Sequence, residues 1–421
     1  MMKTGGEAVL ASVPTRRLVY VGGFDFPTTQ ARGIQTLHTA HALARAGWGV
    51  RLLAQRPAQL AGTTVSALAG YGLVPHPRLR VVSLPVARVD ALRWLEIHKR
   101  LAITNWSYAL ACVADVLRLR PRPDAILTRD PRLAWIFLRM QPLHKRPVIY
   151  EVHEIFSTRP RENRSLEPGA VQGVADRTRA LESSVFAEAN LLLPLTQACA
   201  DIVAHSFRVP PERIVVVPDA TVPPSAELPA RDRDTRRVVY AGQLYPWKGV
   251  DTLLEAMALL PDAKLSIFGG RGGPDDPDLL ACQARVQQLG IGGRVEFRGF
   301  VPHAQIRSAL AGAGVAVLPL PDNLMARYFT SPLKLFDYMA AGVPIVASDL
   351  PTVGEVLEDG DSALLVPPED PAAMAAAIRR LLVNPGLADR LRRTAHEHVQ
   401  AYTWEARAAR IIEAFEGRSI G

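Results

Sequence analysis

Short apolar runs alternating with helix-length stretches constrain this chain more than any other feature it has. The first half carries "RLVYVG", "VRLLA", "RVVSL", "AILT", "VIYEV", "NLLLP" and "IVVVP"; the second carries "RVVYAG", "KLSIFG", "VEFRG", "VAVLPL", "PIVAS" and "ALLVPP". Strand-length runs spaced by helices make βαβ units, whose strands lie parallel. Between the two sets runs "DATVPPSAELPARDRDTR", rich in proline and charge, which reads as a linker. A length of 421 residues suits two such domains, each with its own core. The expected fold is α/β, with two Rossmann-like, doubly wound parallel-sheet domains and a cleft between them. The expected division is 1–228, 229–402, and an amphipathic terminal helix within 403–421.

Composition narrows the function classes. With 48% hydrophobic and 21% charged residues the chain is an ordinary globular protein. No run approaches the length of a membrane-crossing helix, and the first residues lack the apolar core of a secretion signal. Cys112, Cys199 and Cys282 are far apart, show no metal spacing, and are expected to be buried thiols of a cytoplasmic protein. Charge is uneven: residues 1–228 hold 28 Lys+Arg against 18 Asp+Glu, and the remainder holds 21 against 23. The basic first half points to an anionic partner, either a membrane surface at its cytoplasmic face or a phosphorylated acceptor; a solvated arginine-rich surface is the alternative. No helix-turn-helix pattern or basic-aromatic interleaving supports nucleic acid as a partner.

The stretch "FTSPLKLFDYMAAGVPIVASDLP" is the best punctuated. Thr330 and Ser331 are suited to cap a helix whose first position is Pro332, and Gly342 and Pro344 are suited to end it. Leu333, Phe336 and Ala340 give it a buried face. The free amides and dipole at such a start attract an anion, phosphate above all. Asp337 follows Pro332 by roughly 7.5 Å along the axis, about the span from a nucleotide's diphosphate to its ribose hydroxyls.

Together with "YAGQLYPWKGVDTLLEAM" and "FRGFVPHAQI", in that order, this stretch resembles the donor half of the retaining GT-B glycosyltransferases of family 4. "VGGFDFPTTQARGIQTLHTAHALARAGWGV", "YEVHEIF" and "IVVVPDATV" extend a weaker likeness over the first half. The resemblance implies transfer of a sugar from a nucleoside-diphosphate sugar to an acceptor hydroxyl with retained configuration. It also implies a terminal helix returning to the first domain, and no cofactor beyond the donor itself. It places Gly242 and Lys248 at the donor diphosphate, where lysine can neutralise the charge that grows as the sugar–phosphate bond breaks. Gln243 stands where many members carry an arginine. Ser331 and the amides of Leu333 and Lys334 are then expected to hold the diphosphate, and Asp337 the ribose. Phe329 replaces the first acid of the paired-acid motif, which contacts the donor sugar, so Asp322 and Asn323 are the nearest polar residues in sequence to take a sugar hydroxyl.

On the first half, the resemblance puts Gly22 and Gly23 at the reaction centre and His153 near the transferred sugar. Glu154, Arg129 and Asp130 are further candidates at strand ends, on the acceptor side of the cleft. The pairs Asp276–Asp278 and Asp359–Asp361 have Asp-x-Asp spacing but lie in Gly/Pro-rich turns, so they are read as turn formers and no metal site is expected. No pair of catalytic carboxylates suggests covalent glycosidase-like chemistry. The competing readings are a non-catalytic sugar-nucleotide-binding subunit, motivated by Phe329 and Gln243, and a nucleotide-sugar epimerase of the same fold.

Overall fold

The computed structural model describes residues 16–28, 30–55, 68–87, 97–158, 168–230, 236–270, 275–302 and 305–417. Two six-stranded sheets organise them. The first runs β3 (Leu79–Leu84), β2 (Gly49–Gln55), β1 (Arg17–Asp25), β4 (Ala125–Thr128), β5 (Val148–Val152), β6 (Leu191–Pro194), every neighbouring pair parallel. The second runs β12 (Leu364–Val366), β11 (Ile345–Ser348), β10 (Val315–Leu318), β7 (Arg237–Ala241), β8 (Lys264–Phe268), β9 (Val295–Gly299), again all parallel. Read from its own first strand, each sheet has the same Rossmann order, with a switch point between its first and fourth strands. Strands β4, β5, β6, β10 and β11 are buried at every residue. Such strands need continuous apolar runs, because helices cover both faces of the sheet.

One expected strand is absent. Residues 214–218 of "IVVVP" form a single bridge, Leu192 with Ile214, and Val215 and Val217 donate amides to Leu192 and Pro194 at 3.0 and 2.8 Å. Their partner β6 is only four residues long, and prolines at 210, 211 and 218 deny the segment further ladder bonds.

The last helix, Trp404–Glu416, packs on the first half. Trp404, Ala408, Ile411 and Phe415 share a core with Leu37, Leu43 and Trp48, and the Trp48 and Phe415 rings meet edge to face at 5.3 Å. From the second half, Phe329 joins the core of β4 and β5, Thr196 Oγ1 donates to the Tyr328 carbonyl, and Glu355 accepts the amides of Gln197 and Ala198 at 2.7 and 2.9 Å. These contacts seat residues 325–333 against the first sheet's helices. All three cysteines are buried and free.

Candidate functional site

A cavity of about 420 Å³ opens where the carboxyl ends of the two sheets face each other. That is where an open α/β sheet collects ligands, since the loops after the strands diverge at the switch point. Gly242 follows β7; Lys248 lies in the following turn, before the helix Val250–Ala258; Ser331 and Lys334 come from the start of the helix Leu333–Ala340.

The helix start differs by one step from expectation. Pro332 is itself the cap, with extended backbone, and Leu333 begins the helix. Thr330 and Ser331 leave the helix amides alone: Thr330 Oγ1 donates to the Met325 carbonyl at 2.8 Å, and Ser331 Oγ accepts the Asp219 amide at 2.9 Å. An unusually wide turn over Met325–Phe329 ahead of the proline sets this geometry. First-turn amides have no partner within their own helix, so those of Leu333 and Lys334 remain for a ligand.

Two lysines stand beside those amides. Lys334 Nζ donates to the Tyr240 hydroxyl at 2.8 Å and lies 4.2 Å from that ring's centroid. Burial pushes its pKa well below the ordinary lysine value, and the charge of Lys248 pushes it further; burial lowers Lys248 too. Among the described residues neither lysine has a carboxylate partner. Gly242 is what allows the approach: a Cβ there would lie 2.7 Å from Lys334 Nζ, and its φ of +148° is one that L side chains rarely adopt. Such a pair, desolvated and mutually repelling, is built for an anion carrying at least two charges.

The opposite wall is centred on Glu151, wholly buried at the end of β5. Its Oε1 accepts Gln35 Nε2 at 2.5 Å, His153 Nε2 at 2.6 Å and Arg407 at 2.7 Å, and its Oε2 accepts the Tyr20 hydroxyl at 2.7 Å. Burial alone would raise this carboxyl's pKa, but Arg407 and His153 hold it well below the usual range. Arg129 donates to Gln35 Oε1 and, at 2.8 Å, to His153 Nδ1. Arginine can only donate, so Nδ1 is the acceptor and Nε2 carries the proton. Burial, then Arg129, pushes the His153 pKa down to about 4.

Of the residues singled out from sequence, Gly242, Gln243, Lys248, Phe329, Ser331, Leu333, Lys334, Asp337, Arg129, His153 and Glu154 all line the cavity. Asp337 is buried, and its Oδ1 accepts the Thr221 hydroxyl at 2.7 Å. Three expectations are corrected. Gly22 and Gly23 do not line it: a Cβ at Gly22 would strike the Phe24 ring, and the Gly22 carbonyl is taken by Tyr108. Asp130 caps the helix Pro131–Arg139. Asp322 pairs with Arg327, and Asn323 accepts the Ala326 amide, so neither reaches the cavity. His153 lines the cavity where it was expected, with both ring nitrogens committed within the protein to Arg129 and Glu151. The Asp-x-Asp pairs serve locally, Asp276 as the cap of the helix Pro277–Gln288 and Asp359 as acceptor of the Leu365 amide. Sequence reading missed the side chain of Lys334, Gln35 on the first helix, and Asp219; the i, i+3 pair Arg32 and Gln35 in "RGIQ" was the available signal for that helix face.

Comparison with known proteins decides the family. A glycosyl transferase 4-like domain matches residues 33–220, and a glycosyl transferases group 1 domain matches residues 235–384. The chain belongs to the group 1 glycosyltransferases. A D-inositol 3-phosphate glycosyltransferase of Corynebacterium glutamicum is 24% identical over 408 residues, 91% of this chain and 90% of that protein. A namesake from Streptomyces coelicolor aligns over 63% of its own length. A phosphatidyl-myo-inositol mannosyltransferase of Mycolicibacterium smegmatis is 34% identical over 189 residues, 44% of this chain and 46% of that protein. Among solved structures, sucrose-phosphate synthase from Thermosynechococcus elongatus superposes with a TM-score of 0.73 at 21% identity, covering 96% of this glycosyltransferase and 99% of that chain. Anabaena HepE in complex with UDP-glucose does so at 0.68 and 15%, covering 96% and 100%. At those identities the likeness is one of fold, and the fold is GT-B.

Proposed function

We infer that this glycosyltransferase moves a sugar from a nucleoside-diphosphate sugar to an acceptor hydroxyl, with retention of configuration. The observation that carries the reading is the Lys248–Lys334 pair at the free amides of one helix start, a site that fits a diphosphate better than a single phosphate or a neutral sugar. Lys334 supplies the second cation that Gln243 does not. As the sugar–phosphate bond breaks, charge accumulates on the diphosphate, and donors already in place stabilise it without reorganising. The leaving oxygen is then placed to take the acceptor proton. Asp337 at one helical turn from Lys334 suits the ribose hydroxyls. Arg129 and Glu154 on the first-half wall face the acceptor side, and the Glu151–His153–Arg129 network holds that wall rigid.

The structural relative bound to UDP-glucose and the inositol-type acceptors in the relatives' names agree with a nucleotide-sugar donor and a polyol or lipid-linked acceptor. The described residues contain no helix long and apolar enough to cross a membrane. Exposed Trp106 and Leu110, one turn apart on the helix Ile97–Arg118, together with the basic first half, support peripheral contact with anionic lipid at the cytoplasmic face.

The test is a panel of nucleoside-diphosphate sugars with polyol and lipid-linked acceptors, products identified by mass spectrometry in the presence of EDTA. One donor class should yield a glycosylated acceptor, with chelator causing no loss. Lys248→Ala should cost about 2–4 kcal/mol in kcat/KM, the usual loss for one such electrostatic contact. Binding without turnover of any donor would favour the non-catalytic subunit, and an altered free nucleotide sugar would favour the epimerase.

A further inference from the structure

Asp219 is a carboxyl in this cleft whose chemistry the diphosphate site does not use. It follows residues 214–218, lines the cavity, and is 7% exposed. Its amide donates to Ser331 Oγ, which ties its position to the start of the helix Leu333–Ala340. Its Oδ1, however, is buried with no hydrogen-bond partner. A buried carboxyl oxygen left without a donor is costly, of the kind retained where a ligand supplies the missing bond.

The neighbours define what that ligand is. Arg407, Glu151 and Arg129 face Asp219 from the last helix, β5 and the loop after β4. Arg407 donates to Glu151 and to the Val217 and Pro218 carbonyls, and Arg129 to Gln35 and His153, rather than to Asp219. Burial raises its pKa to about 6 against the pull of those arginines. A carboxyl here repels a phosphate, so its partner is a neutral hydrogen-bond donor. Beside a diphosphate site, the neutral donor that arrives with every substrate molecule is a sugar hydroxyl.

We propose that Asp219 accepts a hydrogen bond from a hydroxyl of the transferred sugar and sets which sugar the enzyme uses. The assignment rests on the nucleotide-sugar reading of the cleft. Phe329, buried and lining the same cavity, offers that hydroxyl no side-chain acceptor, and Asp322 and Asn323 are turned to other partners. The contact crosses the cleft: the second half holds the diphosphate while the first half reads the sugar.

The experiment compares the parent donor with its monodeoxy analogues, on one nucleotide, for wild type, Asp219→Ala and Asp219→Asn, with nucleoside-diphosphate affinity measured by calorimetry. The wild type should disfavour one deoxy position by roughly 10- to 100-fold, the range for a lost bond to a charged group. Asp219→Ala should erase that preference by slowing the parent donor, while nucleoside-diphosphate affinity stays within about twofold. Asp219→Asn should fold and melt no lower than wild type above pH 6, because it removes an unpartnered buried carboxylate, and it too should blunt the preference. A wild type that transfers sugar, with unchanged deoxy ratios in Asp219→Ala, overturns this assignment alone. A fall in nucleoside-diphosphate affinity that matches the fall in transfer also overturns it. A wild type that binds no nucleoside diphosphate overturns the reading of the cleft and this assignment with it.

Discussion

His153 shows how much one side chain's neighbours decide its role. At the end of a strand it has the position of a reacting histidine, but Arg129 on Nδ1 and Glu151 on Nε2 leave it one tautomer and no open nitrogen. Its pKa is lowered to about 4 from an ordinary 6.5, so the unfolded chain binds this proton over that window and the folded protein does not. Stability from this group is therefore complete above about pH 6.5, falls as pH drops toward 4, and levels off below. His153→Gln should flatten that part of the acid limb in melting curves recorded from pH 7 to 4, whereas an unchanged limb would mean the histidine is not held neutral. Position at a strand end was legible in the sequence; the partners were not, because Gln35 and Arg407 reach Glu151 across separations of 116 and 256 residues. The same holds for Lys334, whose amide was foreseeable from helix punctuation but whose side chain depends on Tyr240, 94 residues away.

Elements were easier to read, since strand and helix follow from local periodicity. Twelve strands form where apolar runs had marked them. The failure at residues 214–218 came from the partner strand's shortness, which no local pattern encodes, together with the flanking prolines at 210, 211 and 218, which were legible in the sequence. At the proposed donor site the decisive elements are the turn after β7 and the helix Leu333–Ala340, joined through Gly242. Gly242→Ala puts a methyl into the Lys334 ammonium and strains a positive φ. We expect nucleoside-diphosphate affinity to fall at least about tenfold while the loss of stability stays near 1–3 kcal/mol, the range for a strained backbone position. Comparable calorimetry and melting of the variant check this; full affinity would show that Lys334 does not need the close approach.

At the scale of the molecule, two halves without a detectable sequence repeat share one strand order, because right-handed βαβ crossovers leave few ways to wind such a sheet. The terminal helix binds the first half through Trp404, Phe415 and the buried Arg407–Glu151 contact, which couples the chain's end to the cleft wall. The excess of basic residues in the first half, with Trp106 and Leu110 exposed, predicts binding to vesicles containing anionic lipid at low salt and release as screening grows. Equal partition to neutral and anionic vesicles in a sedimentation assay would leave those residues as ordinary surface. The central claim is narrower: Lys248 and Lys334 hold the diphosphate of a nucleotide donor. Calorimetric titration of nucleoside diphosphates in buffers of differing ionisation enthalpy tests it most directly. One nucleoside diphosphate should bind, with proton uptake that grows as the buffer pH is raised, because its charge raises the Lys334 pKa that burial and Lys248 lower; affinity should fall by about 100-fold or more in the Lys248→Ala, Lys334→Met double variant. Binding of equal strength by the double variant, or no binding of any nucleoside diphosphate to the wild type, would contradict it.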